Sequence, residues 1–121
     1  MARAYCDHTA TLDRPLLSVS GAKAESGDNT LIAAPGAYDR IVLVSVCIQN
    51  ESSTATTMIL KDGSAAFRRV LGQNQGDGVS LTYTPGREKR LAANAALVLN
   101  LSGANSCGYS VDYFIERSNV S

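Results

Sequence analysis

Apolar and polar positions alternate with a period of two in several short runs of this chain, most plainly in its last third. Leu97, Leu99 and Leu101 alternate with Val98, Asn100 and Ser102. Further on, Tyr109, Val111, Tyr113 and Ile115 alternate with Ser110, Asp112, Phe114 and Glu116. Successive side chains of a strand point to opposite faces, so each run offers one mostly apolar row to a core. The link SGANSCG holds small turn-forming residues, which predicts that these two strands form an antiparallel hairpin. Both rows are expected to pack against the strongest apolar run, residues 41–48 (IVLVSVCI).

That run is rich in β-branched residues and lies between Pro35-Gly36 and a polar QNESS, so it reads as a strand rather than a short uncapped helix. Strict alternation assigns Val42, Val44, Val46 and Ile48 to one row and Ile41, Leu43, Ser45 and Cys47 to the other. An apolar character on both rows predicts a central strand, or one with a face in a subunit interface. Shorter strands are expected at residues 16–20, 29–34, 56–60, 66–71 and 79–84. Gly21 and Gly27 bracket AKAES as a candidate rim hairpin, and Asp62-Gly63 is a strong turn signal. The Phe67, Arg69 and Leu71 row suggests an edge strand, and Val79, Leu81 and Tyr83 are expected to point inward. No 3.6-residue period is sustained. About eight short antiparallel strands with turn residues every ten or so positions predict an all-β, single-domain β-sandwich, specifically a jelly roll. Residues 15–121 form this domain. Residues 1–14 lack a core pattern and read as an arm, or as an edge strand folded onto the same domain.

Composition narrows the function classes. One domain fits in 121 residues. Lys plus Arg equals Asp plus Glu at 11 each, so the chain lacks the summed positive field of a general nucleic-acid binder, and no nucleic-acid partner is expected. No apolar run reaches the length of about 18 residues that spans a membrane, so no membrane partner is expected, and residues 1–12 do not read as a secretory signal. Synthesis in the cytoplasm follows as an expectation. The three widely spaced cysteines, Cys6, Cys47 and Cys107, read as reduced thiols.

Candidate chemistry is thin. Cys6 and His8, with Cys47 and Cys107, have the residue types of a zinc site but not its paired spacing, so no metal and no cofactor is expected. His8 is the only histidine, which leaves a serine or cysteine nucleophile without a base and predicts a protein that is not an enzyme. GQNQGDG (72–78) leads into a strand, not a helix, and so is not a phosphate-binding loop. Asp62, Asp77, Glu88, Asp112 and Glu116 read as solvated charge in turns or outward positions. Arg68-Arg69 and Arg87, Lys89 and Arg90 are basic groups near turns.

The stretch YTPGREKRLAANAALVLNLSGANSCGYSVDYFIE resembles small bacteriophage-type virion structural proteins. The likeness runs through Leu99, Leu101, Ser102, Ala104, Gly108 and Tyr113, is extended by IVLVSVCIQNESSTATTMILKDGS upstream, and covers residues 38–116. The resemblance implies a jelly roll, commonly trimeric, serving as a capsid cement or decoration protein, a head fibre or a tail-associated part, with no catalytic residues to carry over. The expectation is a homotrimer on the virion's capsid surface, bound to the major capsid protein through Arg3, Tyr5, His8, Arg68, Arg87 and Arg90. The alternative is a carbohydrate- or receptor-binding fibre or tail module. A lack of Trp and of outward aromatics other than Tyr5, Tyr38 and Phe114 counts against it.

Overall fold

A computed structural model of the chain describes residues 15–117. They form β1 (Leu17–Lys23), β2 (Gly27–Ile32), β3 (Asp39–Asn50), β4 (Thr56–Asp62), β5 (Ala65–Gly72), β6 (Gly78–Thr82), β7 (Lys89–Arg90), β8 (Leu97–Leu101) and β9 (Cys107–Arg117). One sheet has the order β1-β9-β3-β6, with the two-residue β7 also on β3; the other has the order β2-β8-β4-β5. Every pairing is antiparallel. The pairs β4–β5, β3–β6, β2–β8 and β1–β9 are nested one inside the next. The chain is therefore one long antiparallel ribbon, folded at the β4–β5 turn and rolled into two facing sheets, which is the jelly roll. Asp62-Gly63 makes that turn as expected, with Gly63 in the left-handed region at φ 62°.

The core lies between the sheets. Ile41, Leu43, Val46, Ile48, Cys107 and Val111 come from one side; Leu31, Ile32, Met58, Leu60, Leu97, Leu99 and Leu101 come from the other. Each fully buried aliphatic side chain contributes roughly 1.5–3 kcal/mol of transfer free energy, so this aliphatic set is the main source of stability. Val79 and Tyr83 pack against it as expected, with Tyr109, Tyr113 and Ile115 half-buried at its margin.

Three sequence expectations need correction. First, β8 and β9 do not form a hairpin. β8 is bonded to β2 and β4, and β9 to β1 and β3, so the 102–106 link crosses from one sheet to the other. Alternation identifies which row is buried but not which strand lies alongside; here the two rows meet face to face across the core. Second, β3 carries a bulge between Leu43 and Ser45. The extra residue, Val44, shifts the alternation, so the inward row is Ile41, Leu43, Val46 and Ile48. Ser45 and Cys47 stay on the outer face. Third, Gly21 lies within β1, and residues 24–26 connect different sheets rather than closing a rim hairpin. The expected edge strand at 66–71 is indeed the edge strand β5. Its row is split by a bulge opposite Leu60–Lys61, which leaves Phe67 against the core and Leu71 exposed.

Candidate partner-binding surface

The rolled ribbon gathers its connections at two ends. At one end meet the β1–β2, β3–β4, β5–β6 and β8–β9 links. Asn50, fully buried at the end of β3, ties the last three of these together. Its Nδ2 donates to the carbonyls of Gly72 at 2.9 Å and Thr54 at 3.1 Å, and its Oδ1 accepts from Ser52 N at 2.9 Å. Asn50 N donates to Asp77 O, and its own carbonyl accepts from Gly76 N, both at 2.7 Å. Glu51 N donates to Ser106 O, and the Glu51 carboxylate accepts from the Ser106 hydroxyl. Asn29, also buried, donates through Nδ2 to Glu25 O and holds the β1–β2 link. A buried amide with its donors and acceptor matched holds irregular backbone firmly, because any opening strands polar groups away from water.

At the other end meet the β2–β3, β4–β5 and β6–β8 connections. Asn94, the one described non-glycine residue with a left-handed backbone at φ 54°, donates its N–H to Asp39 O and accepts from Gly36 N. The Asp62 carboxylate accepts from Ala92 N at 3.2 Å, and Gly63 N donates to Ala96 O. Lys89 Nζ lies 4.8 Å from the centroid of the Phe67 ring, a cation–π contact that joins β7 to β5 across the mouth of the sandwich.

Charge divides between these ends. Links 24–26, 51–55, 73–77 and 102–106 hold Glu25, Glu51 and Asp77 and no Lys or Arg. The opposite connection carries Arg87, Lys89 and Arg90 against Glu88. The structure thus places Arg87 and Arg90 in this connection and Arg68 midway along β5, opposite Leu60. Arg68 is exposed and near Tyr83, whose phenol is raised by burial while Arg68 acts to lower it. Arg87 is exposed in a turn, its N–H donating to Thr84 O. Arg90 is tied down: its Nε donates to Glu116 at 3.2 Å and its Nη1 lies 3.5 Å from Glu88. Desolvation would raise the Glu88 carboxyl, but backbone N–H donation, including that of Gly86, and the charge of Arg90 leave it below its ordinary value. Arg3, Tyr5 and His8 lie outside the described residues.

The acids read as solvated are mostly employed. Asp112 accepts from the Ser18 hydroxyl at 2.6 Å and the Ser45 hydroxyl at 2.9 Å, which hold its carboxyl below the usual range. Asp77 accepts from Asn74 N, and Glu116 faces Arg40 as well as Arg90. Cys47 and Cys107 lie on opposite faces of one sheet. Cys47 is exposed, whereas burial pushes the Cys107 thiol up to about 11. Phe114 keeps to the outer row of β9, outside the core cluster between the sheets, but is only 3% exposed, while Tyr38 is 59% exposed.

No family model matches the chain, and no curated protein does. Among solved structures, the chain is similar to one in the cryo-EM structure of the virus-like particle of extra small virus from the giant freshwater prawn Macrobrachium rosenbergii. That likeness has 11% identity, covers 88% of this chain and 81% of that one, and has a TM-score of 0.49.

Proposed function

We propose that the protein is a non-enzymatic virion structural component: a capsid cement, or decoration, protein that binds the shell of the major capsid protein as a homotrimer. The observation that carries this reading is the separation of charge between the two ends of a net-neutral sandwich. Such a molecule gains nothing from general attraction to polyanions, but it docks in one orientation against a surface with an acidic patch. Arg68 and Arg87 lead this contact, with Arg90 held in place by Glu116 and Glu88. The resemblance of residues 38–116 to phage-type virion proteins points the same way.

Exposed ion pairs contribute only about 0–1 kcal/mol each, so one basic end binds weakly. A trimer presents three such ends at once, and the second and third contacts form at high effective concentration. Residues 1–14, with Arg3, Tyr5 and His8, extend the contact over neighbouring shell subunits. Bridging then resists the outward pressure of packaged DNA.

Two measurements test the reading. Size-exclusion chromatography with light scattering is expected to give the mass of a trimer; a monomer would overturn that assignment. Deleting residues 1–14 is expected to abolish shell binding and leave the trimer folded. Full decoration by the truncated protein would show that the arm is not the anchor. One observation favours a carbohydrate- or receptor-binding module instead: a shallow outer-face groove of about 280 Å³ that includes Ser20, Gln49, Glu51, Tyr109 and Ser110. Specific binding on a glycan array would reverse the ranking.

A further inference from the structure

Among the described residues the two sheets end in four edges, and three of these carry the features by which sheets avoid pairing with other chains. β5 presents Arg68 and Arg69 and is distorted by the bulge opposite Leu60–Lys61. β2 carries Asp28 and a bulge between Thr30 and Ile32. The edge beyond β3 in the first sheet is split into the short β6 and the basic two-residue β7. β1 differs. Its 7 residues, LSVSGAK, have no charge before Lys23, no proline and an unbroken register against β9 from Leu17↔Tyr113 to Lys23↔Cys107. Leu16 and Leu17, 57% and 40% exposed, lie at its start.

A flat strand with one side paired leaves alternate N–H and C=O groups pointing outward, ready for a second strand. We propose that the second strand is β1 of another copy, paired antiparallel about a two-fold axis at Ser20. Self-pairing requires an edge complementary to itself. Centred on Ser20, the pair sets Ser18 opposite Ala22, Val19 opposite Gly21 and Leu17 opposite Lys23, with no like charges facing. The same operation about the middle of β5 would set Arg68 opposite Arg69. On the outer face, Ser18, Ser20 and Ala22 are small, so the joined sheet continues without steric conflict. This contact lies along the sheet edge, away from the basic end, and stands independently of the capsid reading. Two strands of this length bury less than the ~800 Å² per partner of a standard interface, so the expected dissociation constant is on the order of 100 µM.

Sedimentation equilibrium of the full chain up to about 1 mM is expected to show a twofold rise in mass centred near that constant, from whatever unit exists at low concentration. Ser20→Lys and Ser20→Glu would each abolish the rise, because the new charge meets its own image across the axis, and an equimolar mixture would restore it. Ser20→Cys with Cys6 and Cys47 replaced by Ser is expected to yield a covalent dimer on oxidation, since the facing Cα atoms fall within disulfide range; Ala66→Cys on β5 in that background would not. A mass that never doubles, charge variants that still associate, or equal cross-linking at both positions would overturn the proposal. A trimer that forms but never doubles would contradict this inference alone, while a monomer that doubles would contradict the trimer alone.

Discussion

The two ends of the sandwich solve the same problem differently. Each must turn several connections without leaving backbone polar groups buried and unmatched. The acidic end does so around Asn50, a neutral amide at zero exposure that bonds three of its four converging links directly or through their neighbours. The basic end uses shallower devices: a left-handed Asn94, the Asp62 carboxylate on Ala92 N, and a cation over the Phe67 ring. Bonding capacity at the first end is turned inward. At the second, Arg87 remains exposed, as does Arg68 midway along β5. The proposed partner contact rests on those exposed arginines.

The largest expected effect lies between the ends, in the core they share. Leu99→Asp buries an unpaired charge and is expected to unfold the domain; a soluble, folded variant would sink the core assignment. Next, Asn50→Ala removes donors from the Gly72 and Thr54 carbonyls and is expected to cost roughly 2–4 kcal/mol in urea unfolding. Asn94→Ala is expected to cost only about 1 kcal/mol, from one hydrogen bond and a left-handed backbone. Equal losses would erase the distinction between the ends.

Much of this contrast is out of reach of a pattern reading. Period-two alternation located eight of the nine strands and gave the inward rows of β8 and β9, because burial on one face imposes that period. It missed β7, whose Lys89-Arg90 has no apolar row, and it misassigned β3 because one bulged residue, Val44, inverts every later position. Partner strands were not legible, so a crossing between sheets passed for a hairpin. Asn50 falls within the polar QNESS that follows the apolar run, where nothing in the alternation marks it as buried. The available signal was an Asn closing an apolar strand with Ser two residues on, which is how an Asx turn is written. The division of charge was present in the sequence all along, but it becomes an end-to-end property only once nested pairing assigns each link to an end.

A smaller effect concerns pH. The carboxyls of Asp28 (through Asn100, then Lys61), Asp112 (through Ser18, then Ser45) and Glu88 are held below their ordinary values. Folded values below unfolded ones mean that this stabilisation is present above the unfolded carboxyl pKa of about 4 and is lost as pH falls through the folded values. Melting temperature is expected to drop modestly below that point, and Asp112→Asn to flatten part of the drop. An unchanged profile in Asp112→Asn would mean that the two serine contacts do not bind the charged form preferentially. The smallest effect is chemical: at pH 8 a thiol reagent is expected to modify Cys47 in the folded protein and Cys107 only after unfolding.

The claim that the basic end faces the shell is tested most directly by co-sedimentation with capsid shells that lack the protein. The variant Arg68→Glu/Arg87→Glu is compared with Glu25→Gln/Glu51→Gln/Asp77→Gln at the opposite end. The account predicts that the first loses shell binding by tenfold or more, on the order of 1.4 kcal/mol, while keeping its melting temperature and oligomeric mass, and that the second binds as the unaltered protein does. Loss of binding in the second variant with retention in the first would contradict it.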